Sequence, residues 1–283
     1  MTNSFKADVL VVKLSGKALT ADKALDALFA ALASSAASAE RTRVVLVHGG
    51  GVEVDALMRG LGRPIDRIEG LRVSPAEDMP VIAGALAGTC SLKLRGAAQR
   101  AGLMPLGLCA TDAGIGRVVP ADPRLGRVGV IEPGDSAAKR RLQALLDAGF
   151  TPVISSVGMD AAGALWNINA DDAAVASAAL LGAPLIFLSD VPGVLDANKH
   201  LFEQLNEKQA ETLIAEGVIS GGMTVKVRAA FRAAAMTGKP VAAASVFDPM
   251  LPNKLASGQL PGTTFTLESV SYTHLTLPTS DLV

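Results

Sequence analysis

Val44–Gly51 reads VVLVHGGG, a run of β-branched and leucine side chains that closes on three consecutive glycines. The run predicts a buried strand and the following VEVDALMRGL a helix, because Val54, Leu57, Met58 and Leu61 fall at i, i+3, i+4 and i+7. Glycines between a strand and a helix let backbone N–H groups turn toward a ligand with no Cβ in the way. The helix N-terminus behind them favours negative charge. The stretch has the outline of an anion cradle, although a strand followed by HGGG also serves as a tightly packed turn.

Upstream, Asp8–Leu14 (DVLVVKL) predicts the first strand, and Ser15-Gly16-Lys17 turns out of it. Leu25, Leu28, Phe29 and Leu32 mark a helix capped by Thr20 or Asp22, which leads into Val44. Strand, helix, strand is the crossover unit of a parallel sheet. It brings Lys13 and the glycine triplet to one sheet edge, outside the carboxyl ends of the strands, where open α/β sheets bind ligands. A lysine ending an apolar strand is otherwise a snorkelling side chain.

Downstream, Arg72 follows Gly70 in a turn-rich stretch and has the planar fork that clamps a carboxylate, though a solvated loop arginine is the plainer reading. Pro75 opens a helix running toward Ala98, and Leu106–Ala110 predicts a strand. Arg117–Ile131 predicts a hairpin, Ser136 caps a helix that Gly149 ends, and Thr151–Val157 predicts a buried strand. Trp166–Asp172 (WNINADD) crowds four Asn and Asp residues before an alanine-rich helix, more than one N-cap requires. Pro184–Ser189 is the next strand, and Asp190–Val194 the loop where a nucleotide would lie against backbone. Asn206 and Gln209 form a capping box. Lys226 stands in the first turn of a later helix, where a cation opposes the macrodipole and a bound polyanion would explain it. Val241–Val246 and Gly262–Leu267 supply late strands.

A chain of 283 residues that is 49% hydrophobic suits a sheet covered on both faces. Its net charge of −1, with no dense Lys/Arg block, argues against nucleic acid or anionic membrane as a partner. Two cysteines without CxxC spacing fit a reducing compartment, and with no signal-peptide core or long apolar window the expected location is cytoplasmic. The tail 269–283 lacks periodicity and is a candidate expression or sequencing scar, left out of the fold.

KLSGK, VVLVHGGG, GLRVSP, ALAGT, NINAD, LSDVPGVLD and GGMTVKV occur in the order and approximate spacing of the N-acetylglutamate kinases of the amino acid kinase family. The resemblance spans about Val9–Thr264. It implies a three-layer α/β/α sandwich with a mainly parallel central sheet. Residues 1–166 would form an N-terminal lobe for the amino-acid substrate and the dimer contact, and 167–268 a C-terminal lobe for ATP. It also implies that Lys13 and Lys226 bracket the transferring phosphoryl group and that Asp171 orients them. Gly49, Gly50, Arg72, Asn167 and Asn169 would hold N-acetyl-L-glutamate. Gly16, Asp190, Val191, Pro192, Gly193, Val194, Leu195, Val218, Ile219 and Ser220 would line the nucleotide. ATP would carry Mg²⁺ on its phosphates, with no protein metal-ligand set. The product would be N-acetylglutamyl 5-phosphate, for arginine biosynthesis.

Two positions depart from the pattern. Ser15 stands where the family has a second glycine, and Gly221 where some relatives carry Asp. Some relatives add an N-terminal helix that builds arginine-inhibited hexamers; with about eight residues before the first strand, the expectation is a homodimer without arginine feedback. Competing readings are an esterase using HGGG as an oxyanion loop, which lacks its G-x-S-x-G elbow, and Walker A or GxGxxG proteins, whose patterns are missing. A kinase for another carboxylate or carbamate, or a non-catalytic nucleotide-binding regulator, remains the alternative within the family.

Overall fold

The computed structural model describes residues 7–37 and 42–267; the reading of the 269–283 tail lies outside them. The chain begins with β1 (Val9–Leu14), α1 (Asp22–Ala37), β2 (Arg43–His48), α2 (Gly51–Gly60) and a small hairpin of β3 (Arg67–Ile68) and β4 (Leu71–Arg72). A long helical stretch follows: α3 (Met79–Ala83), a π-helical segment Gly84–Cys90, and α4 (Ser91–Arg100). Next come β5 (Pro105–Cys109), β6 (Gly116–Pro120), β7 (Val128–Pro133), α5 (Ser136–Asp147), β8 (Thr151–Ser155), β9 (Val157–Met159), β10 (Leu165–Ile168) and α6 (Ala170–Leu181). The remainder is β11 (Leu185–Ser189), β12 (Gln204–Asn206), α7 (Glu207–Ala215), α8 (Gly222–Thr237), β13 (Val241–Ser245), α9 (Leu251–Ala256) and β14 (Thr263–Thr266).

Eight strands form one sheet in the order β12-β14-β13-β11-β1-β2-β8-β5. Its neighbours are parallel except β13 with β14. All six residues of β1 are buried, as a strand covered on both faces requires. Alternation along it divides the core. Leu10, Val12 and Leu14 join the side chains of α1, α4 and α9, whereas Val9 and Val11 join those of α5, α6 and α8. The three-layer α/β/α expectation therefore holds. A second sheet, β6-β7-β10-β9, contains the predicted hairpin.

Several boundaries differ from expectation for local reasons. Thr20 does not cap α1; its hydroxyl donates to the Lys17 carbonyl at 2.8 Å in a 3₁₀ turn, and the helix begins at Asp22. The cap of α5 is Asp135, whose carboxylate accepts the Ala138 N–H at 2.8 Å, so Ser136 is the first helical residue. The helix expected from Pro75 starts as a 3₁₀ turn, Ala76–Asp78. The strand from Thr151 breaks at Ser156, whose N–H turns to the His48 carbonyl. Lys226 is the fifth residue of α8, one turn deeper than predicted.

Candidate functional site

The alternation that splits the core also aims Lys13. It shares its face of β1 with Val9 and Val11, toward α6, and its ammonium lies 2.6 Å from Asp171 Oδ1. Both side chains are about nine-tenths buried, at 9% and 11% exposure, so this pair is fixed rather than solvated. Asp171 stands in the first turn of α6, where Asn169 is the N-cap and accepts the Asp171 N–H at 2.9 Å. The crowded NINADD stretch thus divides its labour. Asn169 caps, Asp171 holds Lys13, and Asp172 makes an ion pair with Arg232 that ties α6 to α8.

Lys226 approaches from α8. Burial pushes its ammonium below the ordinary lysine value, and the charge of Lys13 adds to that; Asp171 and Asp190 pull the other way, and Lys17 depresses it further. Lys13, distant in sequence, thus acts on the charge of Lys226. Lys17, read from sequence only as a turn residue, pairs with Asp190 at 2.7 Å across the loops after β1 and β11. That contact, assisted by Lys226, holds the Asp190 carboxyl below its usual range despite the opposing effect of burial. The signal for Lys17 was present in KLSGK, one residue beyond Gly16.

The two glycine loops face each other. A Cβ on Gly16 would lie 3.6 Å from the Gly51 nitrogen and 3.9 Å from the Gly50 Cα. Gly50 is the cap residue of α2, with no side-chain cap to occupy the N–H groups of the first turn. The Ser15 hydroxyl turns back to accept the Ala18 N–H at 3.3 Å, so the serine leaves this approach open. His48 is fully buried, and its Nδ1 lies 2.8 Å from the Gly49 carbonyl. A carbonyl only accepts, so Nδ1 carries the proton. Burial lowers the His48 pKa and keeps the ring neutral. Its Nε2 is buried with no hydrogen-bond partner among the described residues.

Arg72 is buried at 8% exposure, against the reading of a solvated loop arginine. Its Nη2 reaches the Gly51 carbonyl at 3.3 Å and makes an ion pair with Asp55, which also holds Arg67 at 2.7 Å. Its Nη1 is buried with no hydrogen-bond partner among the described residues. Asn167 donates to the Ser74 hydroxyl at 3.0 Å, linking β10 to the loop after Arg72. Asp55, outside the quoted motifs, and Ser74, inside GLRVSP but not singled out there, are positioning groups missed in the sequence.

The expected nucleotide wall is mixed. Asp190 reaches the charge cluster. Val194 and Ile219 are core side chains, and the Val194 N–H is already donated to Thr263 Oγ1 at 2.9 Å. Gly193 is required for space, since a Cβ there would meet Thr263 Oγ1 at 2.5 Å. Val191, Pro192 and Leu195 lie on the same loop, and Val218 and Ser220 flank Ile219 just before α8. Among the described residues no cluster of three or more His, Cys, Asp or Glu is placed to hold a metal, and no helix is long and apolar enough to cross a membrane.

A family model, the amino acid kinase family, matches residues 8–244. An acetylglutamate kinase of Vibrio vulnificus (strain YJ016) is 48% identical over 256 residues, covering 90% of this chain and 96% of its own length. One of Aeromonas salmonicida (strain A449) is 47% identical over 258 residues, covering 91% and 98%. Among solved structures, smu.665 from Streptococcus mutans UA159 superposes with a TM-score of 0.72 at 26% identity, over 92% of this chain and 99% of that one. An N-acetylglutamate synthase from Neisseria gonorrhoeae, solved with coenzyme A and N-acetyl-glutamate, superposes with a TM-score of 0.77 at 24% identity. It covers 93% of this chain and 60% of its own, a likeness of fold.

Proposed function

The chain belongs to the amino acid kinase family, and on that premise we propose that it transfers the γ-phosphoryl group of ATP to the γ-carboxylate of N-acetyl-L-glutamate. The product is N-acetyl-L-glutamyl 5-phosphate, an intermediate of arginine biosynthesis. Relatives of 46–48% identity over at least 90% of the chain carry the activity in their names.

The acceptor carboxylate is already ionised at neutral pH, so the reaction needs no general base. Its difficulty is charge. A loosely bonded phosphoryl group moving between two oxygens needs positive charge on both sides. At ~4 Å and an effective dielectric near 20, each ammonium interacts with a unit negative charge by roughly 4 kcal/mol before desolvation. Lys13 from β1 and Lys226 from α8 fill that role, and Asp171 fixes the first of them. The observation that carries the reading is the buried Lys13–Asp171 pair acting on the charge of Lys226.

On the substrate side, the unpartnered Nη1 of Arg72 suits the α-carboxylate, with the N–H groups of Gly49 and Gly50 and the side chains of Asn167 and Asn169 around the rest. On the nucleotide side, Gly16, Asp190 and the segments Val191–Leu195 and Val218–Ser220 border the phosphates and base. Mg²⁺ comes with ATP and neutralises part of the phosphate charge; the excess of lysines over carboxylates in the cluster fits such a polyanion. The protein works in the cytoplasm as a homodimer. Leu57, Leu61 and Leu92, each more than a third exposed in the 1–166 lobe, suit a subunit contact that sedimentation velocity would detect.

An ATP-dependent hydroxamate assay across N-acetylglutamate, glutamate, aspartate and carbamate tests the reading. N-acetylglutamate is expected to react at least tenfold better in kcat/KM than the other three. Reaction with only a different acceptor removes the substrate assignment, and nucleotide binding without turnover of any acceptor makes the chain a regulator.

A further inference from the structure

The charge cluster contains two ion pairs of opposite character. Lys13–Asp171 is about nine-tenths buried at both ends. Lys17–Asp190 is of similar length, 2.7 Å, yet Lys17 is 69% exposed and Asp190 33%. An exposed pair of this kind gains little net stability, because water competes for both ends and a long side chain must be immobilised. Lys17 also directly follows Gly16, whose backbone faces Gly50 and Gly51, and its charge acts on Lys226. An ammonium so placed, on a flexible stem and weakly held, is available to a stronger anion.

We propose that Lys17 is a third phosphate-binding lysine: it rests on Asp190 in the empty enzyme and passes to the β- and γ-phosphates when the nucleotide enters. The inference rests on the nucleotide reading of the site and adds a residue to it. The exchange is directed by charge. A single carboxylate offers one negative charge, whereas a triphosphate offers several and presents them beside Lys13 and Lys226, in a partly desolvated cleft where each contact is stronger. Lys17 is thereby a selector of polyphosphate over monophosphate.

Isothermal titration of the full-length protein with ATP, ADP and AMP at fixed Mg²⁺ reads this directly. Lys17→Met is expected to weaken ATP and ADP by about tenfold and AMP by less than about twofold. Lys17→Arg, which keeps the charge, restores most of the loss. In turnover, Lys17→Met raises KM for ATP with kcat within about threefold, the pattern of lost uniform binding. Lys17 is exposed, so an unchanged thermal midpoint verifies folding. If Lys17→Met keeps the wild-type preference for ATP over AMP, Lys17 is only the counter-ion of Asp190. If the wild type itself binds no nucleotide, the ATP reading falls first and takes this one with it.

Discussion

At the scale of single residues, the site holds charge that the fold would be more stable without. Lys226 keeps its ammonium in a half-buried place beside Lys13, and its pKa is pushed below 10.5 first by burial and then by that neighbour. The unfolded chain therefore binds the Lys226 proton more tightly than the folded one. The resulting penalty is full below the folded pKa and disappears as pH rises through that value toward 10.5. Lys226→Met removes the penalty along with the function. At neutral pH its thermal midpoint should equal or exceed the wild type's while kcat falls by about 10² or more, the loss expected for a group that stabilises transferring charge. Calorimetry and steady-state kinetics on one preparation check both halves. A variant that turns over normally removes Lys226 from the mechanism, and one that melts several degrees lower makes it a structural residue. In the wild type, kcat/KM for ATP should fall on a basic limb centred below 10.5 as Lys226 loses its proton. The lysines and Asp171 were legible in the sequence because each sits in a short motif. The roles of Asp55 and Ser74 were not, although Ser74 sits within GLRVSP, because they hold Arg72 and Asn167 through contacts that no spacing encodes.

At the scale of elements, the glycine loop and the π-helical segment are a matched pair. Gly50 is extended at φ 172°, a backbone conformation open to any residue, so freedom of rotation is not its reason. Space is. A Cβ on Gly50 would lie 2.4 Å from Cys90 Sγ and 3.1 Å from Leu86 Cδ2, both carried by the π-helical segment. Gly50→Ala is expected to destabilise the protein by about 1–3 kcal/mol through overpacking and to raise KM for both substrates by shifting the loop. Gly50→Ala with Cys90→Ala removes the nearest atom, leaving the Cys90 Cβ at 3.3 Å, and should recover most of the loss. Urea unfolding of the two single variants and the double variant measures the coupling; additive effects would mean that the glycine serves the ligand and not the packing. The order of strands and helices was readable from apolar runs and periodicity, because parallel strands buried on both faces announce themselves. Asp135 rather than Ser136 as a cap was hidden by a neighbour of equal propensity. The π-helical turn has no composition signal beyond Gly84 and Gly88, and its cause is tertiary: it delivers Cys90 against the loop.

At the scale of the whole molecule, the proposed lobes 1–166 and 167–268 are parts of one sheet. β1 is paired on one side with β2 and on the other with β11, residue for residue from Val11–Leu185 to Leu14–Leu188. The boundary at 166/167 falls inside β10, and Asp171, which neutralises Lys13, lies beyond it. A chain ending at Trp166 would expose the edge of β1 that pairs with β11, Val11–Leu14, and leave Lys13 as a buried charge without its partner. The first invites pairing between copies, and the second costs about 3–5 kcal/mol. Such a fragment is expected to aggregate. The intact chain should unfold in a single calorimetric transition, with the calorimetric and van't Hoff enthalpies of the cooperative unit in agreement. Either substrate should shift that whole transition upward, because the proposed ligand sites lie where the two lobes share strands and charges. Two separated transitions, with ATP moving one and N-acetylglutamate the other, would show that each lobe is its own folding unit. The Lys13–Asp171 pair would then join domains rather than anchor a single core.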